Sequence, residues 1–326
     1  VEFDTLDRDI TQALHFNGRA SFTLIAEILG VSDQTVARRY ARLRSVGALQ
    51  VCGMTWPRAV GATLWTVRVG CPPVAAADLA EALARRDDTM WVSLVSGGTE
   101  IVLAVRIGEG GSLLDRLPHS RQVTRMSAQC HLHTYFGGPQ NMVNKIGTLT
   151  PAQIERLATP EPGPPPGPVA GLTDQDRTLL AELRKDGRAP VPELAAATGS
   201  APATVRRRLA ELRANGTLYF DVESDWRLFG LGARVCVWLT VPPARLAATG
   251  AALAAHPEVA FCTAITGDSN IFASITCTDA ASLYSYLTHR IAALPDVQRM
   301  EISPSLRVIK GIVPRGPAAR SPQDWR

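Results

Sequence analysis

The chain has 326 residues, 46% hydrophobic and 20% charged, with a mean hydropathy of +0.03. At roughly 100–200 residues per domain, that length predicts at least two domains, and the balance excludes wholesale disorder. The net charge of +4 is too small to imply a nucleic-acid partner by itself, so the placement of 31 arginines and three lysines has to decide.

Taken from the N-terminus, Leu6, Ile10, Ala13 and Leu14 recur at helical spacing, Gly18 interrupts, Phe22, Ile25, Ala26 and Leu29 recur again, and Gly30 interrupts. Ser32 is a natural N-cap for a third helix running to about Ser45. Helix, tight glycine turn, helix is the arrangement whose second member lies in the DNA major groove. On the third helix Val36, Tyr40 and Leu43 point inward, while Gln34, Arg38 and Arg42 face out with Thr35 beside them. The stretch 34–44 has four arginines, Arg38, Arg39, Arg42 and Arg44, and no acid, which concentrates positive charge where a groove-reading helix needs it.

Next come a strand at Thr63–Val69, a helix at Ala75–Arg86, strands at Trp91–Val95 and Ile101–Ile107, a short helix at Ser112–Leu117 and a strand at Arg125–Phe136. The order βαββαβ is ferredoxin-like. Gly108-Glu109-Gly110-Gly111 lacks phosphate-loop spacing and reads as a turn. Thr150-Pro151 starts a short helix, and the proline-rich run 160–168 reads as an extended spacer.

The pattern then repeats. A shift of 169 positions aligns residues 7–49 with 176–218 without a gap, with about 17 of 43 positions identical where chance gives about 3. In the second third helix Val205, Leu209 and Leu212 face in, whereas Ala203, Thr204 and Arg207 face out, flanked by Arg206 and Arg208; Glu211 is the exception. The second α+β segment has strands at Val235–Val241, Ala260–Thr266, Ile271–Cys277 and Arg299–Ile309, and helices at Ala244–His256 and Ala280–Leu294.

Leu6-Asp7-Arg8-Asp9-Ile10, Asn17-Gly18-Arg19, Asp186-Gly187-Arg188, Gly30-Val31-Ser32, Thr35-Val36-Ala37-Arg38-Arg39 and the run Val259–Asn270 resemble the Lrp/AsnC (feast/famine) transcription regulators. The fold class expected is α+β: two repeats, each a winged helix-turn-helix head followed by a ferredoxin-like βαββαβ sensing (RAM) domain. The boundaries expected are 1–52 and 171–221 for the heads, 60–138 and 230–312 for the sensing domains, 139–170 for a helix and linker, and 313–326 for a tail. The chain departs from the family in carrying two units instead of one. The family's sensing-loop acid is also displaced, its place being taken by Glu100 and Asn270.

The resemblance implies a cytoplasmic, sequence-specific regulator that contacts double-stranded promoter or operator DNA through Ser32, Gln34, Thr35, Arg38, Arg39, Arg42, Ala203, Thr204, Arg206, Arg207 and Arg208. It also implies a small effector, an amino acid or similar metabolite, at Gly97, Gly98, Thr99 and Glu100 or at Gly267, Asp268, Ser269 and Asn270, because effectors of the family bind around this turn where sensing domains meet. The two sensing domains are expected to pair sheet to sheet within one chain, and such pseudo-dimers to associate into a dimer or higher homo-oligomer.

No catalytic motif stands out: G-x-S-x-G, G-x-x-x-x-G-K-[ST] and H-E-x-x-H are all missing. Neither a cofactor nor a metal is expected. His131 and His133 share one strand face, a spacing that can bind metal but reads more simply as solvated polar residues. The six cysteines lack C-x-x-C spacing and read as buried thiols. No apolar run reaches about 18 residues and Val1-Glu2-Phe3-Asp4 shows no signal pattern, so a soluble protein without a membrane contact is expected. The alternative function is an enzyme, since siroheme decarboxylases resemble the same layout. They carry a His-Asn-Tyr run where this chain reads Asp88-Thr89-Met90-Trp91-Val92 and Glu258-Val259-Ala260-Phe261-Cys262.

Overall fold

The computed structural model describes residues 2–108, 113–159, 163–165, 167–169 and 171–313. Most of the Gly108–Gly111 turn, part of the proline-rich spacer and nearly all of the tail therefore lie outside the described residues. In chain order the elements are α1 (Thr5–Phe16), α2 (Phe22–Leu29), α3 (Asp33–Ser45), β1 (Leu49–Thr55), β2 (Thr63–Gly70), α4 (Pro73–Ala84), β3 (Thr89–Val95), β4 (Glu100–Ile107), α5 (Leu113–Arg116), β5 (Arg125–Phe136), α6 (Val143–Ile146) and α7 (Pro151–Leu157). The second repeat supplies α8 (Asp174–Lys185), α9 (Val191–Thr198), α10 (Pro202–Ala214), β6 (Leu218–Ser224), β7 (Ala233–Thr240), α11 (Leu246–Ala254), β8 (Val259–Ile265), β9 (Ile271–Cys277), α12 (Ala280–Ser285) and β10 (Arg299–Val308). A π-helical segment, Tyr286–Ile291, continues α12.

Compactness groups like with like rather than following chain order. One unit is Val1–Ala62 with Gly138–Leu228, the two heads; the other is Thr63–Gly137 with Phe229–Arg326, the two sensing halves.

In the unit of the heads, each first helix opens with a reciprocal cap: Asp4 with Asp7 on α1 and Thr173 with Asp176 on α8. Gly30 and Gly199 take the left-handed conformation that ends α2 and α9 and turns the chain into the third helix. Val36, Tyr40 and Leu43 of α3 and Val205, Leu209 and Leu212 of α10 are buried, as their spacing predicts. The strand after each head pairs with the strand after the other: β1 and β6 form an antiparallel ribbon in which Cys52 faces Asp221. Those two positions are equivalents in the 169-residue repeat, so the register is the self-complementary one a pseudo-two-fold axis requires.

The two heads also exchange arginines. Arg19 donates to the carbonyls of Gly187 and Ala189 at 2.6 and 3.2 Å, and Arg188 donates to those of Gly18 and Ala20 at 2.8 Å each. A Cβ on Gly18 would lie 2.9 Å from Val51, and one on Gly187 would lie 2.9 Å from the Cys52 backbone. The repeated Gly-Arg-Ala run is thus the junction between heads.

In the unit of the sensing halves the strands close into a barrel, β10-β3-β4-β2-β5-β8-β9-β7. Each half, β5-β2-β4-β3 or β10-β7-β9-β8, has the ferredoxin-like strand order. The halves pair within the chain, as expected, but their edges are hydrogen-bonded, β5 to β8 and β10 to β3, making one closed sheet out of two faces laid together. Strand alternation then sorts the side chains. Val67, Val69, Ile101 and Leu103 pack with α4, as Val235, Val237, Ile271 and Ala273 pack with α11 and α12. The inward face carries Val95, Val102, Cys236, Trp238, Ile265 and Phe272. All six cysteines are free thiols, five of them buried.

Candidate DNA-reading heads and effector turns

Ser32 caps α3, accepting from the Thr35 amide at 3.1 Å while its hydroxyl meets Thr35 Oγ1 at 2.9 Å. Gln34 and Arg38 are exposed on the outward face. Arg39 is turned the other way, pairing with Asp4 at 2.7 Å and Asp7 at 3.3 Å, and Arg42 also bonds Asp7. Asp7 is fully buried. The second head repeats this brace: Arg208 grips Asp176, 3% exposed, at 2.6 and 2.8 Å, and reaches Glu211 at 2.9 Å. The Arg208 guanidinium, against burial, holds the Asp176 carboxyl down at about 2. Arg39, Arg42 and Arg208, assigned to DNA from sequence, therefore hold the third helix of each head onto its first.

Arg38 and Arg207, repeat equivalents, both remain exposed, although Arg207 pairs with Glu211 at 2.6 Å. Ala203, Thr204 and Arg206 are exposed on the same helix. The first turn of α10 has no side-chain cap, because Ala201 stands where Ser32 stands in the first head. Sequence reasoning misses Arg19 and Arg188 as functional residues; the one signal is their presence in an identical tripeptide in both repeats.

The first candidate effector turn, with Gly97 at φ 70° and Gly98 at φ 85°, leads into Glu100, which is 5% exposed. Arg68 donates to both Glu100 oxygens at 2.7 and 3.1 Å and to Glu301 at 2.6 Å. Its guanidinium also lies 4.1 Å from the centre of the Trp238 ring. Ser96 and Ser303 hydroxyls approach Glu100 at 3.4 and 3.5 Å. The Glu100 carboxylate is thereby committed within the protein. In the second turn Asn270 is also occupied, its side chain bonding the Val241 amide at 3.0 Å and carbonyl at 2.7 Å. Gly267, at φ 110°, and Asp268 are exposed, with Ser269 partly so.

His131 and His133 do not form a metal pair. A register shift falls between them; His131 turns inward to Thr66 Oγ1 at 2.8 Å, and His133 packs edge-on against Tyr135. Burial pulls His131 down to about 4, so it is neutral at pH 7. Among the described residues no group of three or more His, Cys, Asp or Glu is placed to hold a metal ion, and no helix is long and apolar enough to cross a membrane.

A profile described as the AsnC-type helix-turn-helix domain matches residues 3–44 and 172–213, and one described as the Lrp/AsnC ligand binding domain matches residues 234–312. HTH-type transcriptional regulator FL11 of Pyrococcus horikoshii is 26% identical over 128 residues, spanning 39% of this chain and 84% of the relative. Its counterpart in Pyrococcus furiosus is 25% identical over 117 residues, 36% of this chain and 78% of the relative. Among solved structures, the siroheme decarboxylase NirDL in co-complex with an iron-uroporphyrin III analogue aligns with a TM-score of 0.62 at 13% identity, over 95% of this chain and 94% of that one. At that identity the likeness is one of fold. Two AsnC-type heads joined to a ligand-binding domain define a transcription regulator. The chain belongs to the Lrp/AsnC family, in a tandem form that carries two units in one polypeptide.

Proposed function

We propose that the protein is a sequence-specific, cytoplasmic transcription regulator in which both heads of one chain contact an operator and an amino acid or similar metabolite modulates the contact. The observation that carries this reading is the different treatment of adjacent arginines. Arg39 and Arg208 are consumed inside the heads, whereas Arg38 and Arg207 stay exposed at the same position of both third helices. Arg38 and Gln34 offer bidentate contacts to guanine and adenine edges, while Ala203 offers apolar contact to a thymine methyl. Ser32, Thr35, Thr204 and Arg206 supply backbone contacts. Because the heads differ, the site within one chain's footprint is asymmetric. The turns Gly97–Glu100 and Gly267–Asn270 flank the effector, and pseudo-dimeric chains associate further into homo-oligomers.

A second reading, an enzyme acting on a tetrapyrrole, draws on the shared fold of a siroheme decarboxylase along nearly the whole chain. Gel shift against promoter DNA from the protein's own gene neighbourhood, beside a visible spectrum after incubation with siroheme, separates the two. A retarded band weakened by Arg38→Ala supports the regulator. A tetrapyrrole spectrum without DNA retention supports the enzyme.

A further inference from the structure

The β1–β6 ribbon joins the two heads in a register that two first strands, or two second strands, could equally adopt, because Cys52 and Asp221 at its centre are repeat equivalents. One face of the ribbon carries Gln50, Cys52 and Met54 from β1 opposite Glu223, Asp221 and Tyr219 from β6. As formed, each carboxylate faces a neutral side chain. Cys52 is fully buried, Glu223 is 7% exposed, and the Asn141 side chain, which gives its Oδ1 to the Val143 amide at 3.1 Å, hydrogen-bonds Asp221.

The same register drawn with two copies of β6 sets Asp221 against Asp221 and leaves a Glu223 diagonal to each, four carboxylates on one face of one ribbon. Residues directly opposite hold their Cβ atoms about 4.5–5.5 Å apart, where like charges are destabilising. Two copies of β1 meet no such obstacle, since they set Cys52 against Cys52 and Gln50 against Met54. A second observation separates the heads in the same sense. Arg188 lies over the Phe22 ring at 4.6 Å and the Tyr40 ring at 5.4 Å, both in the other head. Their repeat positions in the second head are Val191 and Leu209, which offer another Arg188 no ring. The remaining ties do not discriminate. The arginine–carbonyl exchange is written in a tripeptide common to both heads, and the part-exposed Arg44–Asp186 pair at 2.8 Å has Arg213 as the repeat equivalent of its arginine.

We infer that the second head rejects another second head and accepts only a first head, so that the unlike pair is the building unit of every assembly of this chain. Blocking one like pair is sufficient. Two chains hold two heads of each kind, and if the first heads paired with each other the second heads would be left to pair across four carboxylates. A second copy of the chain can therefore enter the junction only by reciprocal exchange, which restores two unlike pairs. The pairing rule does not depend on what the heads bind. Joined to the reading of the heads as DNA-contacting, it means that no oligomer offers DNA a ribbon-linked pair of identical heads.

The test measures amide hydrogen exchange along β1 and β6 in the full chain at about pH 8, with the barrel strands as the internal control for folding. Cys52→Asp sets like against like and should speed exchange in the ribbon about tenfold or more while the barrel keeps its protection. The uncharged Cys52→Asn should have a much smaller effect. Adding Asp221→Cys to Cys52→Asp moves the carboxylate to the other strand and should bring protection back to within about threefold of the wild type. Wild-type protection in Cys52→Asp, an equal loss in Cys52→Asn, or no recovery in the exchanged chain overturns the inference. A second measurement leaves the central pair intact: a benzophenone photo-cross-linker replaces Tyr219, which faces Met54 in the unlike pair and would face Glu223 in a pair of second heads. Isotope-labelled and unlabelled chains carrying it are unfolded, refolded together and irradiated. Links to β1 alone, within or between chains, support the pairing rule, and links from position 219 to β6 of another chain overturn it.

Discussion

Replacing Arg208 by alanine removes two hydrogen bonds from the nearly buried Asp176 carboxylate, at 2.6 and 2.8 Å, and detaches α10 from α8. Asp176 has no second ion pair among those described, unlike Asp7, which both Arg39 and Arg42 hold. A carboxyl held at about 2 when folded and at its ordinary 3.8 when unfolded contributes about 2 kcal/mol at neutral pH. The folded value is the depressed one, so this stability is present above about pH 4 and is lost as pH falls through about 2. Urea unfolding of Arg208→Ala should therefore show a loss of about 2–3 kcal/mol at pH 7 that narrows steadily toward pH 2, and Asp176→Asn should remove most of the additional effect of Arg208→Ala. Unchanged stability at pH 7 together with weakened DNA binding would refute the brace and return Arg208 to the DNA-contacting set.

Burial raises the Asp221 carboxyl, beside Glu223 and opposite Cys52, to about 7. Its folded value exceeds the unfolded one, so wild-type stability falls as pH rises from about 4 to about 7; Asp221→Asn should stabilise the protein by about 2 kcal/mol at pH 8 and little at pH 4, read from denaturation midpoints. Arg19→Ala strands the Gly187 and Ala189 carbonyls and should cost about 2 kcal/mol, with faster amide exchange along the β1–β6 ribbon and no change in the barrel strands. Arg68→Ala leaves Glu100 buried without its bidentate partner and should cost about 3–5 kcal/mol, most of it restored by adding Glu100→Gln, as thermal unfolding would show.

Much of the fold is legible in the sequence because its determinants are local. Helical spacing places Val36, Tyr40 and Leu43 inside, and the alternation of Val67 and Val69 with Thr66 and Arg68 marks a strand with two faces. Long-range determinants are not legible in that way. Arg38 and Arg39 are indistinguishable until Asp7, 32 residues earlier in the chain, is seen beside one of them. Leu49–Thr55 carries no partner of its own, since that partner lies in the other repeat. Arg68 reads as a charge in a strand, and only closure of the barrel brings Glu100, Glu301 and Trp238 around it. The two candidate turns are visible in their glycines, but the groups that occupy Glu100 and Asn270, on Arg68 and Val241, lie elsewhere in the chain.

Footprinting with Arg38→Ala, Arg207→Ala and the double variant tests most directly whether one chain reads DNA with two unlike heads. The account predicts that each single change erases protection over a different half of the site, that the two half-sites lie a whole number of turns of about 10 base pairs apart, and that the double variant leaves none. Losing one base contact should weaken binding by about 1–3 kcal/mol. Identical loss over both halves from either single variant, or a full footprint from the double variant, would contradict it.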